Sequence, residues 1–465
     1  MSAILVAVST PLPELRPREP IDAPDYPQHA GEPVLRELDP TEFNMERLNR
    51  VGNGAGCAYQ CAVGRGALSD EVVTKAVEEL AARHPLMRAR VVRSGEGDAE
   101  KLVFVDAGAK PELTITEMPE LSRRWPELME ADMNAGPSPC WRTPPFRVAL
   151  VRDTADPELW LLSLAGPHAF FDGISLGAVI GELLERLGGA KTGPALELRE
   201  IPPTGAEAPT ASGGGDQAPR FVAPEADIPS VPERVHQVQT GLIVEHLSAE
   251  QTRAMIQAGK ARGITAHGTI GAAVHLAHAA RHAALTGESP FGIYRSGSPV
   301  NLRPHVKPPL APNDLRMAVD VAFLNTELRA QDSFWGLAER FAREVHQAVN
   351  SGAVLASWDQ TQRRDRNVGS TGVPLLLISN IGRSHLSPSY GPLELEDVNA
   401  CMATHGMFQI NMALTSFRGR LGGSFYFETP TVSHASMRKF VDLTFSLLGS
   451  AKLHEGNPSL GELLG

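Results

Sequence analysis

The feature that most constrains the fold is a buried strand joined by a short turn to an amphipathic helix. Residues 159–165 form an apolar run that contains Trp160, which is typical of a buried strand. From residue 174 onward, apolar side chains recur at helical spacing: Leu176, Val179, Ile180, Leu183, Leu184 and Leu187. The turn between the two elements contains His168 and Asp172. Because α/β proteins place binding and catalytic groups in loops at strand ends, this turn is the first candidate site.

Two side chains of this turn are suited to different tasks. A neutral imidazole at His168 can accept a proton near neutral pH. The carboxylate of Asp172 stands directly before Gly173, where we expect it to orient the turn rather than to react. A buried histidine beside a helix-capping aspartate is the alternative interpretation, so the turn by itself does not decide the function.

Length and charge exclude several classes of function. A chain of 465 residues exceeds one ordinary core and predicts two or three domains. The formal net charge of -11 argues against nucleic acid and anionic membranes as main partners, because both select a basic surface. No stretch of about 18 apolar residues occurs, so no membrane span is expected. The apolar start lacks a basic segment, and we therefore expect a cytoplasmic protein.

Neither the cysteines nor the histidines predict a metal site. The cysteines lack a paired C-x-x-C arrangement and are expected to be buried free thiols: Cys57, Cys61, Cys140 and Cys401. Three histidines would share one face of a helix predicted over 266–285: His275, His278 and His282. This helix contains no carboxylate, so we assign these histidines a structural role.

Changes in pattern along the chain predict its domain organisation. Residues 1–37 lack periodicity and are interpreted as an irregular N-terminal arm. Residues 38–201 form a first lobe that carries the His168 turn. Residues 202–234 are rich in proline and glycine and are predicted to be a linker. Residues 235–465 form a second lobe, and the order of strands and helices in both lobes favours an α/β sandwich.

Four short segments follow one another in a specific order. They are RHPLMR at 83–88, HAFFDG at 168–173, VNLRP at 300–304 and SNIG at 379–382. The second segment resembles the HxxxDG motif of the condensation-domain and CoA-dependent acyltransferase superfamily, and the other three resemble companion segments of that superfamily. SNIG is most similar to the free-standing polyketide-associated acyltransferases. The chain also lacks the DFGWG segment that many relatives carry, and both features favour such an enzyme over a peptide-synthetase domain.

The resemblance implies a fold and a reaction. The fold would be a two-lobed sandwich like that of chloramphenicol acetyltransferase, a pseudo-dimer of two similar lobes with the active-site channel between them. The reaction would be acyl transfer of the EC 2.3.1 type, in secondary-metabolite or lipid biosynthesis. The acyl donor would be a thioester of CoA or of a phosphopantetheinyl acyl carrier protein, and a small-molecule alcohol or amine would be the acceptor. The donor is a substrate, so no cofactor is implied.

The resemblance also implies roles for named residues. His168 would be the general base that deprotonates the acceptor. Asp172 would pair with the buried side chain of Arg303, and Gly173 would leave room for backbone near the acyl carbonyl. Two candidate hydrogen-bond donors to the tetrahedral oxyanion lie in the SNIG segment: Ser379 and Asn380.

Two alternatives to a free-standing acyltransferase stay open. One is an amide-forming condensation enzyme of the peptide-synthetase type, and the other is a binding protein that keeps the fold without catalysis. The intact histidine, aspartate and glycine of the turn favour acyl transfer over the second alternative. The acyl chain, the acceptor, the type of donor and the oligomeric state are not identified by the sequence.

Overall fold

Two six-stranded sheets form the frame of the protein. The structure is a computed structural model. It describes residues 26–52, 54–96, 100–135, 145–198, 206, 218–226, 238–363, 375–405 and 409–464. Strands and helices alternate in both halves of this part of the chain. The α/β class predicted from the sequence is therefore confirmed.

The first half of the chain contains the strands and helices that surround the His168 turn. The strands are β1 (Val34–Glu37), β2 (Cys57–Arg65), β3 (Ala89–Ser94), β4 (Lys101–Asp106), β5 (Glu112–Met118), β6 (Arg147–Asp153) and β7 (Leu159–Pro167). The helices are α1 (Pro40–Val51), α2 (Asp70–Arg83), α3 (Leu121–Ala135) and α4 (Gly173–Leu187). The predicted strand and helix on either side of the turn thus correspond to β7 and α4.

The second half repeats this mixture of elements. Its strands are β8 (Gln239–His246), β9 (Gly292–Asn301), β10 (Val319–Leu328), β11 (Leu375–Arg383), β12 (Ser389–Tyr390), β13 (Leu393–Met402), β14 (Gln409–Phe417) and β15 (Arg420–Thr429). Its helices are α5 (Ala249–Lys260), α6 (Ala266–Thr286), α7 (Phe334–Asn350), α8 (Ala353–Arg363), α9 (His434–Leu448), α10 (Ala451–Glu455) and α11 (Leu460–Leu464). Among the helices of the described ranges, none is both long and apolar enough to cross a membrane.

The strand order shows that the second half of the chain contributes strands to the first large sheet. The first large sheet has the order β12-β13-β2-β7-β6-β5, and the second has the order β10-β9-β11-β14-β15-β8. Strand β13 therefore belongs to the first sheet although it comes late in the chain. It pairs antiparallel with β2, from Glu394 opposite Arg65 to Met402 opposite Ala58. The sheet of the first lobe is completed by the second half of the sequence.

Three large apolar clusters hold these layers together. One lies between the first sheet and the helices α2 and α4, and a second surrounds α6, α7 and α9. The third joins the two halves and includes Tyr59, Trp125, Leu242 and Tyr426. Because buried apolar area is the main favourable term in folding, the third cluster makes the two lobes mutually dependent.

The observed structure departs from the predicted organisation near the N-terminus. Within the stretch predicted to be an irregular arm, Val34–Glu37 is a strand that pairs with β4, and Val34 lies opposite Val105. Residues 1–25 lie outside the described residues, as does Cys140. Most of the predicted linker at 202–234 also lies outside them, but Arg220 forms an isolated bridge with Tyr294. The cysteines that are described, Cys57, Cys61 and Cys401, are buried and form no disulfide with one another.

Candidate active site

His168 stands where the buried strand β7 ends, in a single 3-10 turn over His168–Phe170. Its backbone N–H donates to the carbonyl oxygen of Gly56 at 2.8 Å. Its ring stacks on the ring of Phe171, with 6.2 Å between the centroids and 20° between the planes. The turn is therefore positioned by backbone and ring contacts, and the imidazole itself is only half-buried.

The surroundings of His168 keep its imidazole neutral. Burial lowers the pKa of His168 below its ordinary value, and the opposing effects of the backbone at His168 and Phe171 and of the Asp172 charge do not outweigh it. Nδ1 is buried and has no hydrogen-bond partner within the described part of the chain. A neutral imidazole retains one nitrogen that can accept a proton, which is the state a general base needs.

Asp172 is engaged on all sides by groups that fix its position. As the N-cap of α4, its Oδ1 accepts the backbone N–H of Ser175 at 2.9 Å, and Ser175 Oγ in turn accepts the backbone N–H of Asp172 at 3.1 Å. Arg303 donates to both carboxylate oxygens, from Nε at 2.9 Å and from Nη2 at 3.0 Å. The backbone N–H of Ala318 donates to Oδ2 at 3.1 Å. This carboxylate has little capacity left for a substrate.

Arg303 connects the His168 turn to a loop of the second half of the chain. Besides Asp172, it donates to the backbone carbonyl oxygens of Ala311 at 2.7 Å, Asp314 at 3.1 Å and Arg316 at 2.9 Å. The side chains of Arg303 and Asp172 are 3% and 4% exposed. The structure thus brings together the two residues that the resemblance paired, in a bidentate contact that water does not screen.

A second cluster of charges, which the sequence analysis missed, supports the same loop. Arg316 donates to Asp39 at 3.0 Å, and Arg36 donates to both oxygens of Glu42 at 2.6 and 2.7 Å. Burial raises the pKa of Glu42, but the charges of Arg36 and Arg316 outweigh it and lower the pKa below its ordinary value. The available signal in the sequence was Asp39-x-x-Glu42, which forms the capping box of α1.

A cavity of about 260 Å³ lies between the lobes and reaches Gly173. A Cβ placed on Gly173 would meet no atom within 4 Å, so the start of α4 faces open space. Both lobes contribute to a mainly apolar wall: Ile174, Ala178, Pro312, Ile381, Leu386 and Val398. Gln60, Ser384 and Thr415 are among the polar side chains that also line it. His168 is not part of this wall, and the cavity approaches it only through Gly173.

A larger groove of about 830 Å³ continues from the cavity, and the two share Arg383, Ser384 and Leu386. Helix α5 contributes Arg253 and Lys260 to its wall. Within the described ranges, no carboxylate pairs with Arg253, Lys260 or Arg383, and all three side chains are exposed. In a protein with a net charge of -11, this groove is a local concentration of positive charge.

The structure does not join Ser379 and Asn380 to the His168 turn. Asn380 lines the large groove, and its Oδ1 accepts the backbone N–H of Gly382 at 3.0 Å. The strand bulges between these two residues, and Gly382 has a φ of +82°, which favours glycine. No hydrogen bond among the described residues links Ser379 or Asn380 to residues 168–173. Their role as oxyanion donors therefore stays a prediction.

The histidines of α6 have different partners: His278 packs against the ring of Tyr294, and His282 Nε2 lies 3.2 Å from a carboxylate oxygen of Glu288. His267 Nε2 lies 2.8 Å from Ser298 Oγ, and His275 Nδ1 lies 2.7 Å from the carbonyl oxygen of Gly271. Burial lowers the pKa of both His267 and His275 to about 4. Among the described residues, no group of three or more His, Cys, Asp or Glu side chains is arranged to hold a metal ion.

Comparisons with known proteins identify one family model and several solved structures that this chain resembles. Residues 236–422 match the family model described as the C-terminus of phthiocerol/phthiodiolone dimycocerosyl transferase. A comparison with curated proteins found no match. The family model covers most of the second lobe, including the VNLRP and SNIG segments.

Solved structures of three kinds share the fold. Polyketide synthase associated protein 5 from Mycobacterium tuberculosis is 14% identical, with a TM-score of 0.61 over 90% of this chain and 99% of its own. TRI3 trichothecene 15-O-acetyltransferase from Fusarium sporotrichioides is 14% identical, with a TM-score of 0.65 over 89% and 95%. The first condensation domain of the CDA synthetase is 14% identical, with a TM-score of 0.64 over 92% and 98%. These likenesses confirm the predicted two-lobed fold, which this chain shares with condensation domains and acyltransferases of known structure.

Proposed function

We propose that this protein transfers an acyl group from a thioester to a hydroxyl or amine, with His168 as the general base. The observation that carries the proposal is the difference between the surroundings of His168 and those of Asp172 in the turn. The carboxylate of Asp172 is occupied by Arg303 and by backbone N–H groups, whereas the imidazole of His168 is neutral and half-buried at the end of β7. The match of residues 236–422 to a transferase family supports the same class of reaction.

The reaction follows from these positions. The neutral imidazole of His168 removes the proton of the acceptor O–H or N–H as the acceptor atom bonds to the thioester carbonyl carbon. The carbonyl oxygen becomes an oxyanion, for which Ser379 and Asn380 are the candidate donors. When the intermediate collapses, the carbon–sulfur bond breaks and the imidazolium returns its proton to the leaving thiolate. The products are the ester or amide and the free thiol.

The large groove supports an anionic acyl donor. Arg253, Lys260 and Arg383 lie along its wall without carboxylate partners among the described residues, so phosphate groups of a donor would meet uncompensated positive charge. CoA carries such groups, and so does the phosphopantetheinyl arm of an acyl carrier protein. Either carrier is consumed as a substrate, so the proposed reaction requires no separate cofactor.

Amide formation is the second candidate, because condensation domains share the fold to the same degree as the acetyltransferase. The two candidates differ in the acceptor. Alcohols and amines of matched length, offered with the same acyl-CoA, separate them by which acceptor accelerates release of the thiol.

Thiol release from a series of acyl-CoA thioesters tests the proposal. His168→Ala should lower the rate at least about 100-fold, with an unchanged circular dichroism spectrum. His346→Ala removes an exposed histidine on α7 and should leave the rate unchanged. A His168→Ala variant that keeps more than about a tenth of the activity would refute the assignment of the base. A wild-type protein that releases no thiol from any thioester would favour the non-catalytic alternative.

A further inference from the structure

Gln60 is a buried polar side chain that projects from β2 into the cavity between the lobes. It is 6% exposed and lines the cavity beside Gly177 and Ala400. The residues in the same phase of the strand are Ala58 and Ala62, so the glutamine interrupts a face of small apolar side chains. A buried amide in such a face costs free energy unless both of its ends form hydrogen bonds.

Among the described residues, only one end of this amide has a hydrogen-bond partner. Nε2 donates to the backbone carbonyl oxygen of Asn399 on β13 at 2.9 Å. Because only the nitrogen can donate to a carbonyl, this bond determines which end of the amide is which. Oε1 consequently faces α4, and a Cβ placed on Gly177 would lie 3.8 Å from it. No described residue donates to Oε1, so an acceptor without a partner points into the cavity.

We propose that Oε1 of Gln60 accepts a hydrogen bond from a substrate and thereby selects substrates with an N–H or O–H group at a set distance from the reacting carbon. This specificity role rests on the proposed function only for the location of the reacting carbon near His168. The bond from Asn399 holds the amide plane in place, so the acceptor is pre-organised before a ligand enters.

Strand register sets the distance. Cys57 on β2 lies opposite Pro167, the residue that precedes His168. Gln60 is three residues further along β2, which corresponds to about 10 Å in a strand. The cavity wall around Gln60 is mainly apolar, with Ile174 and Ala178 on α4 and Val398 on β13. The ligand portion that fits is therefore an apolar chain with one hydrogen-bond donor about 10 Å from the reacting carbon.

This chemistry has two sources in acyl transfer. The group that donates the hydrogen bond to Oε1 could be a second hydroxyl or amine at the far end of the acyl acceptor. It could equally be an amide N–H of the pantetheine arm that carries the acyl group. Two pairs of probes separate them, because in each pair the members differ mainly in the hydrogen-bond donor. One pair is 1,8-octanediol and 1-octanol, and the other is S-methyl pantetheine and its analogue with methylated amide nitrogens.

Titration calorimetry on the full chain tests the proposal without requiring turnover. The wild-type protein should bind the member with the hydrogen-bond donor about tenfold more tightly in one of the two pairs, as one buried hydrogen bond predicts. Gln60→Met keeps the length of the side chain and should reduce that preference to within about twofold. Gly177→Ala, which adds a methyl group in front of Oε1 at a helical position, should reduce it as well.

Matched controls and outcomes make the result decisive. Gln347→Met changes an exposed glutamine on α7 and should keep the full preference. The pair in which the preference appears identifies the source of the hydrogen-bond donor. A wild-type protein without preference in either pair, or a Gln60→Met variant that keeps it, overturns the proposal. Because binding is measured directly, a failure of acyl transfer itself appears only in the thiol-release assay.

Discussion

Replacing Asp172 with asparagine should destabilise the fold by about 3–5 kcal/mol, because it leaves the guanidinium of Arg303 buried without a counter-charge. Two hydrogen bonds of Arg303, at 2.9 and 3.0 Å, end on the two carboxylate oxygens. Its other bonds end on neutral carbonyl oxygens, which do not cancel the charge. Both side chains are 4% exposed or less, so water cannot take over the role of the carboxylate.

Urea unfolding followed by circular dichroism measures this loss. The double variant Asp172→Asn/Arg303→Met should recover part of the lost stability. It removes the buried positive charge that the single variant leaves without a partner. Asp442→Asn is the matched control, because Asp442 is 61% exposed in its pair with Arg438 and should change the free energy of unfolding by less than about 0.5 kcal/mol. A loss below about 1 kcal/mol for Asp172→Asn would refute the reasoning, because a buried charge without a counter-charge costs more than that.

Two further predictions concern acid stability and the choice of donor. His267 and His275 have a pKa of about 4 in the fold and 6.5 when unfolded, so the unfolded chain binds protons first as the pH falls. Each histidine should lower the free energy of unfolding by up to about 3 kcal/mol as the pH falls from 6.5 to 4, with no further loss below pH 4. Melting temperatures that stay level from pH 7 to pH 4.5 would contradict this. The double variant Arg253→Gln/Arg383→Gln should raise KM for acyl-CoA about fivefold, but not KM for the uncharged acyl-N-acetylcysteamine thioester. The control variant Arg343→Gln on α7 should change neither KM. Equal effects of the double variant on both thioesters would exclude a phosphate contact.

The elements around the candidate site were predictable because their burial is local. The apolar run at 159–165 and the helical spacing after residue 174 correspond to β7 and α4, with boundaries within two residues. Such patterns depend only on which face of an element is buried. The contact of Asp172 with Arg303 was available only through the resemblance, because no local pattern links residues separated by 131 positions.

The placement of β13 could not be predicted in the same way. Its alternating burial is compatible with either sheet, because the two-residue period reports a buried face and not a pairing partner. Its pairing with β2 is nevertheless what carries Val398 and Ala400 into the cavity wall. The sequence also did not single out Gln60, because a pattern of buried faces does not show which residues line a cavity.

The candidate site therefore arises from contacts that cross between the two halves of the chain. Arg303 from the second half holds Asp172 in the first, and Asn399 from the second half holds the amide of Gln60 in the first. Asp172 precedes Gly173 of the cavity wall and Gln60 is part of that wall, and the apolar cluster that includes Tyr59 and Tyr426 also joins the two halves. Loosening the lobes would thus disturb the turn of His168 and the acceptor at Gln60 together. We expect variants that weaken this cluster to lose activity before they lose secondary structure, because the site requires both lobes in register and the helices and sheets do not.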